Sequence, residues 1–171
     1  MAEKSLRYTT VLFDWGDTAM RDDPASTVPM VEWDAVEVVE GISHVLAYLH
    51  SSGRRIVLAT SAAISDEGQI RGALRRAGLD TYFSEIYCFK NTHLPKGDAF
   101  YRYILNDLGI SPSEALMVGD GFEKDIQAPN AVGIFAVWFN PGSKETRSSD
   151  LHVTVHSMQE LAAFFKALDQ R

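Results

Sequence analysis

Apolar runs and amphipathic stretches take turns along this chain. Residues 8–13, 55–60 (with Ile56-Val57-Leu58 at the centre), 85–89, 115–118 and 134–139 are short apolar runs. Bounded by polar or glycine-containing segments, such runs read as buried strands. Between them, residues 34–52 carry Val36, Val39, Ile42, Val45, Leu46 and Leu49 at spacings of three and four, the period of an amphipathic helix. Asp34 is a candidate N-cap for it and Gly53 a candidate stop. Residues 67–77 (before Gly78), 98–108 (before Gly109), 123–131 (crossed by Pro129) and 158–168 predict further helices, and 153–155 an edge strand. Strand–helix alternation of this kind predicts an α/β fold: a doubly wound, Rossmann-like, mostly parallel sheet with helices on both faces. There is no internal repeat. Residues 140–150, rich in Ser, Pro, Gly and charge, read as a loop and not as a linker. A length of 171 residues therefore suggests one domain across 1–171.

Composition narrows the function classes. Hydrophobic content of 46% and charged content of 23% are ordinary for a soluble globular chain. The net charge is -7, and no basic stripe offsets it. Arg71, Arg75 and Arg76 recur at helical spacing and read as a solvated face. A nucleic-acid partner is therefore not expected. Cys88 is the single cysteine and sits in an apolar run, so it reads as core. With no intrachain disulfide to form, a reducing cytoplasmic setting is expected. No apolar stretch is long enough to span a membrane. The start, Met1 to Ser5, leads straight into a strand, which predicts no signal peptide.

The chemistry lies where the predicted strands end. The first stops at Asp14-Trp15-Gly16-Asp17-Thr18, the second at Thr60-Ser61, and the fourth at Gly119-Asp120, with Glu123 and Asp125 following; Lys96 precedes the helix after the third. In a parallel sheet these groups share one edge, the edge at which open α/β sheets bind ligands. Carboxylates crowded together stay ionised only beside a cation. Oxygen donors without His or Cys suit Mg²⁺. A carboxylate can attack phosphorus to form an aspartyl-phosphate, while a hydroxyl and an ammonium hold the phosphoryl oxygens. Among the histidines, His93 lies near Lys96 in sequence and otherwise reads as a loop residue.

On these motifs the chain resembles the haloacid dehalogenase-like hydrolase superfamily, its phosphatase branch in particular, over roughly residues 8–139. The strand before Asp14-x-x-Asp17-Thr18 is similar to the family's first motif, Val57 to Ser61 to the second, Leu94 to Asp98 to the third, and Met117 to Asp125 to the fourth. The resemblance implies Asp14 as nucleophile. It implies Mg²⁺ held by Asp14, Asp120 and the backbone carbonyl of Gly16, with Asp125 or Glu123 in support. Thr60, Ser61 and Lys96 would bind phosphate, with Lys90 the rival to Lys96. It also implies a phosphorylated substrate, small molecule or protein, while charge and the lack of a long apolar stretch argue against a nucleic-acid or membrane partner.

The pattern departs from the family at one position. The usual phosphatase carries an acid/base Asp two residues after its nucleophile, where this chain has Gly16. Either Asp17 takes that role from the next position, or it is a turn residue and the chain is a catalytically weakened protein that binds a phosphorylated ligand or partner. Residues 19–34 and 62–95 are too short for a cap domain, which implies a capless member with an open site, acting on large substrates or forming a homo-oligomer to cover it. The loop over residues 19–32 is longer than a usual connection, and there Arg21, Asp22 and Asp23 read as loop residues within reach of a substrate. A phospho-acceptor receiver domain has the same residue types in a different order, which argues against it.

Overall fold

The computed structural model of the chain describes residues 5–171. Residues 1–4, and with them the start expected to lack a signal peptide, lie outside the described residues. The strands β1 (Thr10–Phe13), β2 (Arg55–Ala59), β3 (Glu85–Tyr87), β4 (Ala115–Gly119), β5 (Phe135–Phe139) and β6 (His152–Val155) form one sheet in the order β3-β2-β1-β4-β5-β6. Every pairing is parallel, which obliges each connection to cross back over a face. Side chains alternate across the pleat, and two cores result. Val11, Phe13, Leu58 and Val118 point to one face, against α1 (Ile42–Ser51), α2 (Glu67–Arg76) and α6 (Met158–Asp169). Leu12, Val57, Ala59 and Met117 point to the other, against Phe100, Tyr101 and Ile104 of α4 (Asp98–Leu108).

This arrangement positions the site. The sequence order runs outward from β1 through β2 to β3, then restarts at β4 on the opposite side of β1. The crevice at such a reversal, beyond the strand ends, is the ligand position of doubly wound sheets. Register brings the ends level: Phe13 pairs with Leu58 on one side and with Val118 on the other. Asp14, Thr60 and Asp120 therefore emerge at the same rim.

Three local expectations need correction. The helix expected over 34–52 begins only at Ile42, behind Gly41 with φ 85°, and Asp34 does not cap it. The residues before Gly41 pair with the loop after β1: Arg21 N–H donates to the Glu37 carbonyl at 2.9 Å and Val39 N–H to the Ala19 carbonyl at 3.0 Å. Val39 reaches the core from extended backbone, so its spacing from Ile42 mimicked helical periodicity. The third strand ends at Tyr87, and a short helix, α3 (Phe89–Thr92), follows. The helix expected over 123–131 is a wide π-type turn (Phe122–Gln127) running into α5 (Ala128–Ala131).

The loop after β1 is held in shape. Trp33 Nε1 donates to Ser26 Oγ at 3.0 Å and to the Val28 carbonyl at 3.2 Å. The Arg76 guanidinium donates to the carbonyls of Val31, Trp33 and Asp34 at 2.9, 2.6 and 3.2 Å. Arg71 pairs with Asp80 at 2.9 Å. The exposed Arg75 also lies 3.4 Å from Asp80, so all three arginines expected as a plain solvated face have partners. Cys88 is fully buried, as its apolar run suggested.

Candidate active site

Asp14 follows the last residue of β1 and is buried, its amide donating to the Val118 carbonyl at 2.9 Å. The chain then turns sharply: the amides of Ala19 and Met20 both donate to the Trp15 carbonyl, at 2.9 and 3.0 Å. This turn brings Thr18 back under the carboxylates. Its hydroxyl lies 3.4 Å from Asp14 Oδ2 and 3.2 Å from Asp120 Oδ1.

Lys96 is the cation at the centre. Its Nζ lies 3.0 Å from Asp14 Oδ1 and 2.5 Å from Asp125 Oδ1, with both side chains and its own almost wholly buried. Lys90, the rival candidate, is exposed on α3. Asp14, Asp120 and Asp125 each present an oxygen within 4.8 Å of the others. Glu123 points to solvent and is not among them.

Asp125 gets there because of two glycines. A Cβ on Gly119 would lie 2.3 Å from Asp125 Oδ2, an impossible contact, so only glycine lets the carboxylate settle on the end of β4. The Gly121 amide then donates to the same oxygen at 2.9 Å. The π-type turn carries Asp125 into that position, its amide reaching the Gly121 carbonyl at 2.7 Å.

A cavity of about 350 Å³ opens over this group, walled by Asp14, Gly16, Asp17, Asp22, Thr60, Ser61, Asp120, Lys124 and others. Thr60 is buried beneath it, its Oγ1 accepting the Ala62 amide at 3.1 Å. Asp17 stands at φ 57°, with Oδ1 accepting the Asp22 amide at 3.1 Å. His93 is exposed and stands apart from the cavity wall.

The haloacid dehalogenase-like hydrolase model matches residues 20–139, about 70% of the chain, beginning after the Asp14 turn. The chain belongs to this family. Over 93 residues it is 34% identical to the pyrimidine 5'-nucleotidase PynA of Streptococcus pneumoniae, covering 53% of this chain and 39% of that protein. Over 137 residues it is 29% identical to the human N-acylneuraminate-9-phosphatase, covering 77% of this chain and 53% of that one. The chain thus spans between about two fifths and half the length of these curated relatives. An uncharacterized protein from Listeria monocytogenes serotype 4b superimposes with a TM-score of 0.81 at 24% identity, covering 95% of this chain and 99% of that one. The HAD-hydrolase YfnB of Bacillus subtilis, in a magnesium-bound structure, superimposes with a TM-score of 0.74 at 16% identity, covering 93% and 99%. Those two likenesses establish the fold.

In this haloacid dehalogenase-like site three carboxylates face a single ammonium, leaving negative charge in excess. Asp120 is exposed at the rim, yet partial desolvation of its carboxyl group, then the neighbouring Asp14, raises it to about 7. Burial likewise raises Asp125, although Lys96 pulls the other way. Burial alone would depress Lys96, but Asp14, with Asp125 in support, holds its ammonium firmly charged. Asp125 Oδ1 is buried and receives no hydrogen bond of good geometry beyond its ion pair. Three carboxylates with oxygens within 4.8 Å of one another, an all-oxygen donor set, fit a hard dication such as Mg²⁺.

Three contributors escaped the sequence-based expectations. Thr18 ties Asp14 to Asp120. Trp138, at the end of β5, donates from Nε1 to the Asp120 carbonyl at 2.9 Å and so fixes the backbone that carries that acid. Lys124, exposed, adds a positive charge at the cavity wall. Thr18 was legible as part of the pentad; Trp138 and Lys124 carried no signal that sets them apart from core and surface residues.

Proposed function

We propose that this chain is a magnesium-dependent phosphohydrolase acting on a phosphate ester or acyl phosphate, with Asp14 as its nucleophile. The observation that carries the proposal is the buried Lys96 ammonium lying between Asp14 and Asp125, on the rim that also holds Asp120 and Thr60. Asp14, Asp120, Asp125 and the Gly16 carbonyl would hold the ion. When bound, Mg²⁺ supplies the positive charge that keeps these carboxylates ionised and offsets the charge of the phosphoryl group. The Thr60 hydroxyl, Ser61 and the Lys96 ammonium bind the phosphoryl oxygens and hold phosphorus in line with Asp14. Lys96 also keeps Asp14 ionised for attack. An Asp14 oxygen forms the new bond to phosphorus as the ester bond breaks, giving an aspartyl-phosphate; water then releases phosphate and restores the carboxylate.

The named relatives are a pyrimidine 5'-nucleotidase and an N-acylneuraminate-9-phosphatase, which supports a phosphorylated small molecule as substrate; a phosphorylated protein is the larger alternative. No nucleic-acid or membrane partner is proposed, in line with the -7 charge and the absence, among the described residues, of any helix long and apolar enough to cross a membrane. A capless single domain, cytoplasmic, open at the site or covered by a second copy, completes the proposal. Gly16 favours a second reading, a weakened member that binds a phosphorylated ligand without turning it over. Hydrolysis of p-nitrophenyl phosphate with Mg²⁺ separates the two. Turnover that disappears in Asp14→Asn supports the enzyme; an inert wild type that Mg²⁺ nevertheless stabilises supports the binder.

A further inference from the structure

Cleaving a phosphate ester requires a proton for the departing oxygen, and the water that follows must lose one. Side chains that manage such protons contribute roughly 10²–10⁴-fold in rate. Most carboxylates at the rim are committed elsewhere: Asp14 to attack, and Asp120 and Asp125 to the cation. Asp17 and Asp22 remain in the cavity wall. Asp17 is turned to φ 57° and accepts the Asp22 amide, so it shapes the loop.

Asp22 has a different relation to the site. The Gly16 backbone does not itself demand glycine, because its φ lies outside the left-handed region. A neighbour crowds the position instead: a Cβ on Gly16 would lie 3.0 Å from Oδ2 of the exposed Asp22, 3.1 Å from its Cβ and 3.2 Å from its Cγ. The Asp22 carboxyl group therefore stands directly against the place from which a side chain two residues after Asp14 would project. Its Oδ1 accepts the Asp23 amide at 2.9 Å, which leaves Oδ2 toward Gly16. Asp22 also belongs to the wall of a second groove, of about 270 Å³, formed with Trp15, Met30, Trp33 and Ile64. It stands on the seam between the cavity over Asp14 and this groove.

We propose that Asp22 is a catalytic residue that manages the leaving group's proton, supplied by the loop in place of a side chain at Gly16. The proposal rests on the phosphohydrolase reading above. In the first half-reaction an Asp14 oxygen bonds to phosphorus while the ester P–O bond breaks. The electron pair goes to the ester oxygen, which takes the proton of the Asp22 carboxylic acid and leaves as an alcohol. In the second, the Asp22 carboxylate takes a proton from water as the water oxygen bonds to phosphorus and the P–O bond to Asp14 breaks. Phosphate leaves, and both side chains return to their starting states.

The test compares wild type, Asp22→Asn, Asp17→Asn and the double variant Gly16→Asp with Asp22→Gly, each verified to melt cooperatively. The substrates are phenyl phosphate, whose leaving group needs a proton, and 2,4-dinitrophenyl phosphate, whose leaving group does not. Asp22→Asn is expected to lose roughly 10²–10³-fold on phenyl phosphate while the first half-reaction on the dinitrophenyl ester stays near wild type. A phosphorylated Asp14 then accumulates, visible by mass spectrometry. The double variant is expected to recover much of the lost rate, because Gly16→Asp projects a carboxyl group toward the place that Asp22→Gly vacates. An equal loss of the first half-reaction on both substrates, no loss, or a split that appears in Asp17→Asn instead overturns the role of Asp22 while the phosphohydrolase reading stands. Activity that survives Asp14→Asn, or an inert wild type, overturns both.

Discussion

Asp125 rests directly on the backbone of Gly119: a single methyl at that glycine would stand 2.3 Å from Asp125 Oδ2. A strand end without a side chain is thus part of the proposed cation site. Gly119→Ala is expected to push Asp125 out, weaken Mg²⁺ binding at least tenfold and abolish turnover. Overpacking of this kind costs about 1–3 kcal/mol of stability. Isothermal titration with Mg²⁺ and chemical denaturation measure the two effects.

Lys96 is expected to matter for the fold as well as for chemistry. Lys96→Met leaves Asp14 and Asp125 buried without their cation. Removing one member of a buried ion pair costs about 3–5 kcal/mol, and here protonation of the carboxylates relieves part of that. Activity is expected to fall by roughly 10²–10³-fold, as for loss of a donor to a charged transition state. Urea denaturation with and without Mg²⁺ distinguishes the contributions: the ion should recover more stability in the variant than in wild type.

Stability and Mg²⁺ should be linked through pH. Desolvation and the adjacent carboxylate raise Asp120 to about 7 and also raise Asp125. A carboxyl group that holds its proton more tightly in the folded state loses stability as pH rises from the ordinary carboxylate range through that raised value. Without metal, the protein is therefore expected to lose stability between about pH 4 and pH 7 from these two groups. Mg²⁺ engages the ionised forms, so the rise in melting temperature it causes should grow across the same window. Thermal melts at pH 5 and pH 8, with and without Mg²⁺, test this; an Mg²⁺ effect larger at pH 5 contradicts it.

A region remote from the site offers a control. The buried Arg54 guanidinium donates to the Tyr8 carbonyl at 3.0 Å and to Asp169 at 2.6 and 3.0 Å. This bond network ties the end of α6 to the segment leading into β1. Arg54→Met is expected to destabilise the fold by about 3–5 kcal/mol while leaving kcat of the folded protein unchanged, because the network lies at the opposite end of β1 from Asp14.

Much of the fold was legible because buried parallel strands leave an unambiguous trace. The predicted strands were recovered to within a residue or two, and the helix over Asp98–Leu108 coincided with its prediction. Failures occurred where apolar spacing had another cause. Val36 and Val39 face the core from an extended segment that pairs with the loop after β1, a long-range relation that no local window contains. Asp14, Thr60, Lys96, Asp120 and Asp125 were legible because strand ends on one side of a parallel sheet must meet. Asp22 was legible only as a loop residue within reach of a substrate, because its place beside Gly16 depends on the path of a loop that carries no periodicity.

The account stands or falls on Asp14 as the atom that meets phosphorus. Acid quenching of the protein during turnover of 2,4-dinitrophenyl phosphate with Mg²⁺, followed by peptide mapping, locates the phosphoryl group directly. The account predicts a modified peptide with phosphate on Asp14, absent in Asp14→Asn. Turnover without any phosphorylated peptide, or phosphate carried by another residue, would contradict it.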